Sequence, residues 1–299
     1  MAGERRRAWH RFAAGGLGEM FAVSFSHPAD VLKVRLQLTG ECDSSLRTLR
    51  LRDMTAVARK LAVEEGPRGL YAGITAAWLR QAVFGTLRHG LYGVLESCGQ
   101  VDGGPVPLLW RLQAGLAAGV VAAVVANPTD VVLIRMQSDA GWAPQHRRLY
   151  RHAVHGLTRV LHEEGWKALY RGVGPTTARA ALVTMSQLAT YEEVKSRALA
   201  AGAVEGVRLH LSCAMASATV ACLATQPVDC VKTRIINMQQ TCGISYAGPL
   251  DVIRKTLATE GILAFYKGLS ATFLRLWPHT VLLWLGQEFV GARLRAWER

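Results

Sequence analysis

Three arginines, Arg80, Arg179 and Arg275, occupy one position in three copies of a single sequence pattern, seven residues after Gly73, Gly172 and Gly268. Guanidinium groups at one depth repel one another unless an anion joins them. The planar fork of arginine binds a carboxylate through two parallel hydrogen bonds, which lysine cannot do. Type and register together point to an anion site. Arginines reaching for a headgroup layer would explain charge near a membrane edge but not the shared register. Specificity should come from the neighbouring positions, where the copies differ. One turn on stand Phe84, Val183 and His279; two turns on stand Arg88, Gln187 and Leu283. Steps of four and eight residues drift slowly around a helix, so each trio keeps roughly to one face. Arg88 adds a positive charge without counterparts and suits a small dianion. His279, beside Pro278, reads as a packing histidine with the option of tuning proton coupling.

A second repeated phrase supplies acids and bases. It reads Pro28-Ala29-Asp30-Val31-Leu32-Lys33-Val34-Arg35, Pro128-Thr129-Asp130-Val131-Val132-Leu133-Ile134-Arg135 and Pro227-Val228-Asp229-Cys230-Val231-Lys232-Thr233-Arg234. In a threefold ring the acid of one copy can meet the base of another. The expected pairs are Asp130 with Lys232 and Asp229 with Lys33, whereas Asp30 should reach position 133 and finds Leu133. Such bridges at a wet site are worth about 1 kcal/mol each, weak enough for a gate that must open. Gln37 and Gln137, two residues beyond the motif arginines, are placed to brace them; the third copy has Ile236. Ordinary solvated helix-end charge is the plainer reading, and it leaves the repetition unexplained.

A third phrase runs Glu65-Gly66 to Tyr71-Ala72-Gly73, Glu164-Gly165 to Tyr170-Arg171-Gly172 and Glu260-Gly261 to Tyr266-Lys267-Gly268. Independent motifs in one register mean three copies of one unit, bounded here as 8–99, 107–200 and 207–297. Each copy reads as a long helix, a loop, a short charged amphipathic helix and a second long helix. The first long helices are rich in small residues, as in Ala114-Gly115-Leu116-Ala117-Ala118-Gly119, which lets backbones approach closely in lipid. Pro28, Pro128 and Pro227 fall inside them and should kink them. The short segments Arg52–Glu64, His152–His162 and Leu250–Thr259 suit an interfacial position. The second long helices are expected over Ile74–Glu96, Gly174–Ala198 and Ser270–Arg293. Six spanning helices leave both termini on one side.

Half the residues are hydrophobic, yet 19% are charged. That mixture is too apolar for a typical soluble enzyme and too charged for plain lipid-facing spans. The longest uncharged run, Leu209–Val228, has the length to cross a bilayer. Other candidate spans carry Arg80, Arg88 or Glu19 inside them, which argues for a water-filled cavity. The net charge of +13 suits nucleic acid, an anionic membrane surface or anionic substrates. No nucleic-acid motif appears, so that partner is excluded. Cys42, Cys98, Cys213, Cys222, Cys230 and Cys242 lack metal-ligand spacing and read as buried inert thiols, with no metal or other cofactor implied. Met1 to Arg11 has no apolar core and is not a secretory signal. His146, His152, His155 and His162 cluster without ligand spacing, and no nucleophile or phosphate-loop motif supports an enzyme. A soluble helical-repeat scaffold would share the period but not the small-residue helices with internal prolines.

These motifs resemble, over essentially the whole chain, those of the mitochondrial carrier family. The resemblance implies an all-α membrane protein of three tandem repeats. Six transmembrane helices and three short amphipathic matrix-side helices would form a pseudo-threefold bundle around a cavity that opens alternately to each side. It makes Asp30, Lys33, Gln37, Asp130, Gln137, Asp229 and Lys232 a matrix gate. It makes Tyr191, Glu192 and Lys195 a cytoplasmic gate, thin because Tyr92-Gly93 lacks the acid and Ala292 stands where a base is expected. Arg80, Phe84, Arg88, Arg179, Val183, Gln187, Arg275 and His279 become the substrate-binding set. The match is nearest to the 2-oxoglutarate/malate, dicarboxylate and uncoupling subgroup, on Leu79-Arg80-Gln81-Ala82, Ala178-Arg179-Ala180, Gln187-Leu188-Ala189-Thr190-Tyr191 and Pro278-His279-Thr280-Val281-Leu282. The implied protein is a monomeric, multi-pass carrier of the mitochondrial inner membrane that exchanges small dicarboxylates. Cardiolipin would bind at the short-helix N-termini and the glycine-containing matrix motifs. Phe84 stands where the oxoglutarate type usually has tyrosine. Val23 stands where uncoupling proteins tend to carry an acid, which counts against proton leak. An uncoupling-like anion or proton carrier and an exchanger of phosphate, sulfate or thiosulfate are the alternatives.

Overall fold

The computed structural model of the chain describes residues 2–38, 51–99, 106–139, 142, 147–202, 206–238, 246–276 and 282, with side chains of 2–19 and a few other positions left aside. Among the described residues there are helices and no strands. The first copy gives α1 (Ala2–Leu38), α2 (Leu51–Glu64), the single turn α3 (Gly66–Leu70) and α4 (Ile74–Cys98). The second gives α5 (Leu108–Asp139), α6 (Ala153–Glu164), the turn α7 (Trp166–Leu169) and α8 (Val173–Ala200). The third gives α9 (Val207–Asn237), α10 (Pro249–Glu260), a 3₁₀ turn (Ile262–Tyr266) and α11, helical over 269–276. The rest of the helix expected over Ser270–Arg293 lies outside the described residues, apart from Leu282.

The long first helices run through Pro28, Pro128 and Pro227 without a break. A proline removes one ladder hydrogen bond, and in each copy the residue before it binds elsewhere, as described below. Helix α1 starts at Ala2, ahead of the apolar run at Phe12, because its arginine-rich beginning is itself good helix-forming sequence. The glycine ahead of each second long helix has a left-handed backbone: φ is 81° at Gly73, 79° at Gly172 and 84° at Gly268. A side chain there would also meet the next copy. A Cβ on Gly268 would lie 3.1 Å from the Lys33 carbonyl oxygen, and one on Gly73 would lie 3.0 Å from Met136 Cβ.

Neighbouring long helices pack in chain order, α1 on α4, α4 on α5, α5 on α8 and α8 on α9. Ala271 of α11 packs with Leu32 and Leu36 of α1, which brings the third copy back to the first. Where the first helices of all copies converge, Val34, Val131, Ile134 and Ile236 form one apolar plug. On the outside, Phe21, Phe25, Val121, Val125, Met215 and Leu223 are left exposed, an apolar periphery fit for lipid. Leu109–Asp139 alone, among the described residues, is long and apolar enough to cross a membrane by length and composition. The run Leu209–Val228 lies within α9. Cys213, Cys222 and Cys230 are buried as expected, whereas Cys98, at the end of α4, is exposed.

Candidate functional site

Two layers of charge accompany the apolar plug, each carried in part by residues next to or near its members in sequence. The first ties each copy to itself. Arg135, fully buried, forks onto Glu164 with Nη1–Oε1 at 2.5 Å and Nη2–Oε2 at 2.9 Å. Arg234 does the same to Glu260 at 2.6 and 3.0 Å. Arg35 meets Glu65 at 3.2 Å. Arg171 and Lys267 add second cations to Glu164 and Glu260. Burial is the largest influence on these two carboxyls and acts to raise their pKa. Hydrogen bonds and charge from Arg135, Arg148 and Arg171, and from Arg234 and Lys267, outweigh it and hold both below the ordinary carboxylate range. Both motifs were visible in the sequence, but their pairing was not anticipated.

The second layer ties copies to one another. Lys33 Nζ lies 2.5 Å from Asp229 Oδ2 and Lys232 Nζ lies 2.6 Å from Asp130 Oδ2, in the combinations expected from a threefold ring. The arginine trio joins the same aspartates. Arg80 binds Asp130, Arg179 Nε lies 2.5 Å from Asp229, and Arg275 Nε lies 3.1 Å from Asp30. An anion joins each guanidinium, as the repulsion among them requires, and here it belongs to the chain itself. Each faces a carboxylate of another copy, because the helix carrying the arginine packs against the helix carrying that aspartate. Gln37 does not reach the bridges. It accepts a hydrogen bond from Thr233 Oγ1 at 2.9 Å, one residue from Lys232. Gln137 is buried, and its backbone carbonyl accepts from Arg35 Nε at 2.6 Å.

Phe84 lies between two cations. The Arg80 guanidinium carbon is 5.0 Å from its ring centre and that of Arg88 is 5.9 Å away, within cation–π range. Val183 and Gln187 are half-buried on α8. His279 and Leu283 lie outside the described residues. At the other end of α8, Tyr191 Oη is 2.6 Å from His210 Nδ1 on α9, Glu192 is exposed and Lys195 half-buried. Glu288 and Ala292, the third copy's counterparts of this motif, also lie outside the described residues. Tyr92 Oη is 3.5 Å from Glu96 Oε1, an acid four residues on that spacing alone did not suggest.

Sequence reasoning also missed a third threefold set, the residues before the prolines. His27 Nε2 lies 2.9 Å from the Ala72 carbonyl, Asn127 Nδ2 donates to Leu169 O at 2.8 Å, and Gln226 Nε2 donates to Lys267 O at 2.8 Å. All three are fully buried. Each anchors the turn that launches the second long helix. Their signal was three polar side chains at one register position inside apolar helices.

Repeated helical units, a third copy that returns to the first and a layer of inter-repeat ion pairs are the architecture of a helical carrier. Comparison with known proteins gives the family. The mitochondrial carrier protein family model matches residues 4–99, 104–201 and 205–296, and the chain belongs to that family. It is 37% identical to mitochondrial uncoupling protein 5 of Arabidopsis thaliana, over 93% of this chain and 96% of the relative. It is 38% identical to the mitochondrial 2-oxoglutarate/malate carrier protein of Homo sapiens, over 93% and 88%. A probable mitochondrial 2-oxoglutarate/malate carrier protein of Dictyostelium discoideum is 36% identical, over 93% and 87%.

Proposed function

We propose that the chain is a mitochondrial inner-membrane carrier that exchanges small dicarboxylates, of the 2-oxoglutarate/malate kind, by alternating access. The observation that carries this reading is the arginine trio: one guanidinium from each copy, each paired to a carboxylate of another copy. A carboxylate ligand can take the place of an aspartate on such an arginine, and the guanidinium fork can then bind it through two hydrogen bonds. In this reading three repeats, 8–99, 107–200 and 207–297, supply six spanning helices and three short matrix-side helices. Arg80, Arg88, Arg179 and Arg275 supply charge, and Phe84, Val183, Gln187 and His279 shape the pocket. Asp30, Lys33, Asp130, Asp229 and Lys232, with Gln37 and Gln137 close by, form the matrix gate. Tyr191, Glu192 and Lys195 contribute to the cytoplasmic one. In this reading the protein works as a monomeric transporter without a cofactor. Cardiolipin is its expected lipid partner at the short-helix N-termini and the glycine-containing matrix motifs.

The test is reconstitution into liposomes preloaded with di- and tricarboxylates, phosphate, sulfate, thiosulfate or nucleotides. Rapid exchange of labelled malate or 2-oxoglutarate is expected. Rapid exchange of nucleotides or amino acids with dicarboxylates left outside overturns the reading, and exchange limited to inorganic anions replaces it. The similarity to an uncoupling protein favours a second reading, an anion or proton carrier of that type. It requires fatty-acid-stimulated, nucleotide-inhibited proton conductance without a counter-substrate, and the same liposomes measure that.

A further inference from the structure

The inter-repeat layer is short of one base, and the deficit falls on one aspartate. Asp130 holds Lys232 and Arg80, and Asp229 holds Lys33 and Arg179. Asp30 has Arg275 as its one bridging cation among the described residues. The contacts also differ in kind. Arg80 makes a hydrogen bond to its aspartate, whereas Arg275 Nε lies 3.1 Å from Asp30 without hydrogen-bond geometry. The missing base is a true counterpart in space. A Cβ on Gly172 would lie 3.8 Å from Lys232 Cγ, one on Gly268 would lie 3.4 Å from Lys33 Cγ, and one on Gly73 would lie 3.6 Å from Leu133 Cδ1. All three side chains lie over the glycine that launches a neighbouring copy's second helix. Two of them end in an ammonium on an aspartate and the third ends in a methyl group.

The charges then separate into two groups. An arginine that leaves Asp130 or Asp229 for a ligand leaves that aspartate still bridged by a lysine. An arginine that leaves Asp30 strands a carboxylate whose side chain is only 19% exposed. Desolvated charge without a partner is strongly disfavoured. Five cations therefore face three carboxylates in this layer, and the surplus of two resides on Arg80 and Arg179.

We propose that Leu133 sets the charge of the ligand. Arg80 and Arg179 hold the two carboxylates of a dianion, while Arg275 stays on Asp30 as the cation that position 133 lacks. This rests on the dicarboxylate reading and divides the labour of its arginine trio. A lysine at 133 would bridge Asp30, release Arg275 and make the site a receptor for three negative charges.

The experiment is a set of variants in proteoliposomes, assayed with labelled malate, 2-oxoglutarate and citrate at pH 7.5, where citrate is mainly a trianion. Arg275→Gln alone is expected to lose at least tenfold in malate uptake. Leu133→Lys in the same chain should restore it to within about threefold of the unmutated carrier. The same lysine should not rescue Arg80→Gln or Arg179→Gln. Alone, Leu133→Lys should move the ratio of KM for citrate to KM for malate at least tenfold toward citrate. Thermal unfolding of each purified variant shows whether it is folded, and a variant that fails to fold is replaced by Arg275→Lys, whose expected uptake exceeds that of Arg275→Gln. No rescue of Arg275 by Leu133→Lys, or an unchanged citrate preference, overturns the division of labour. Absence of dicarboxylate uptake by the unmutated carrier overturns the dicarboxylate reading itself.

Discussion

The two charged layers obey the same threefold plan with different fidelity. In the Arg–Glu layer every copy is complete: Arg35 with Glu65, Arg135 with Glu164, Arg234 with Glu260. In the Asp–Lys layer one copy is broken at Leu133, and Asp30 has Arg275 as its one bridging cation among the described residues. The first layer joins parts of one repeat, so each copy needs its own pair in order to fold. The second joins different repeats at the point where, in the proposed reading, a ligand competes, so asymmetry there is expected to change what is bound rather than whether the chain folds.

Breaking the complete layer should have the largest effect. Glu164→Gln leaves Arg135 buried without its carboxylate, at a cost of about 3–5 kcal/mol, and little folded protein should be recovered after detergent extraction. The same layer sets the acid limb of stability. Glu164 and Glu260 have lowered pKa in the fold, so their contribution is complete above the ordinary carboxylate value of 4.5. It is lost as pH falls from there through the lowered values, because the unfolded chain then binds more protons. Melting temperature followed from pH 7 to pH 3 should fall below pH 4.5, and less steeply in Glu164→Gln if that variant folds.

Breaking the incomplete layer should separate transport from stability. Arg179→Gln should reduce dicarboxylate uptake about a hundredfold, as removal of one partner of a desolvated charge pair does. Its melting temperature should change little, since Asp229 keeps Lys33. Comparable losses of stability and uptake would show that the trio is structural.

Smaller effects sharpen the same contrast. Asn127→Ala removes the tie to the Leu169 carbonyl and should lower stability by about 1–3 kcal/mol with KM unchanged. Phe84→Leu removes the ring between Arg80 and Arg88. A cation–π contact is worth about 1 kcal/mol, so KM for malate should rise severalfold with little change in melting temperature.

Sequence by itself determined the threefold unit, the long and short helices, the position of each proline and glycine, and the two lysine–aspartate pairs. These follow from local chemistry and from repetition, and both are written along the chain. It marked the arginine trio as an anion site but assigned it no partner within the chain. Only the tertiary structure decided that Arg80, Arg179 and Arg275 meet Asp130, Asp229 and Asp30, and that His27, Asn127 and Gln226 anchor the turns. It alone showed that the arginine of one motif forks onto the glutamate of another in the same copy. These pairings join residues distant in sequence, and they depend on which helix packs beside which. Register can place two groups at one depth, but only helix packing brings a cation and a carboxylate within bonding distance.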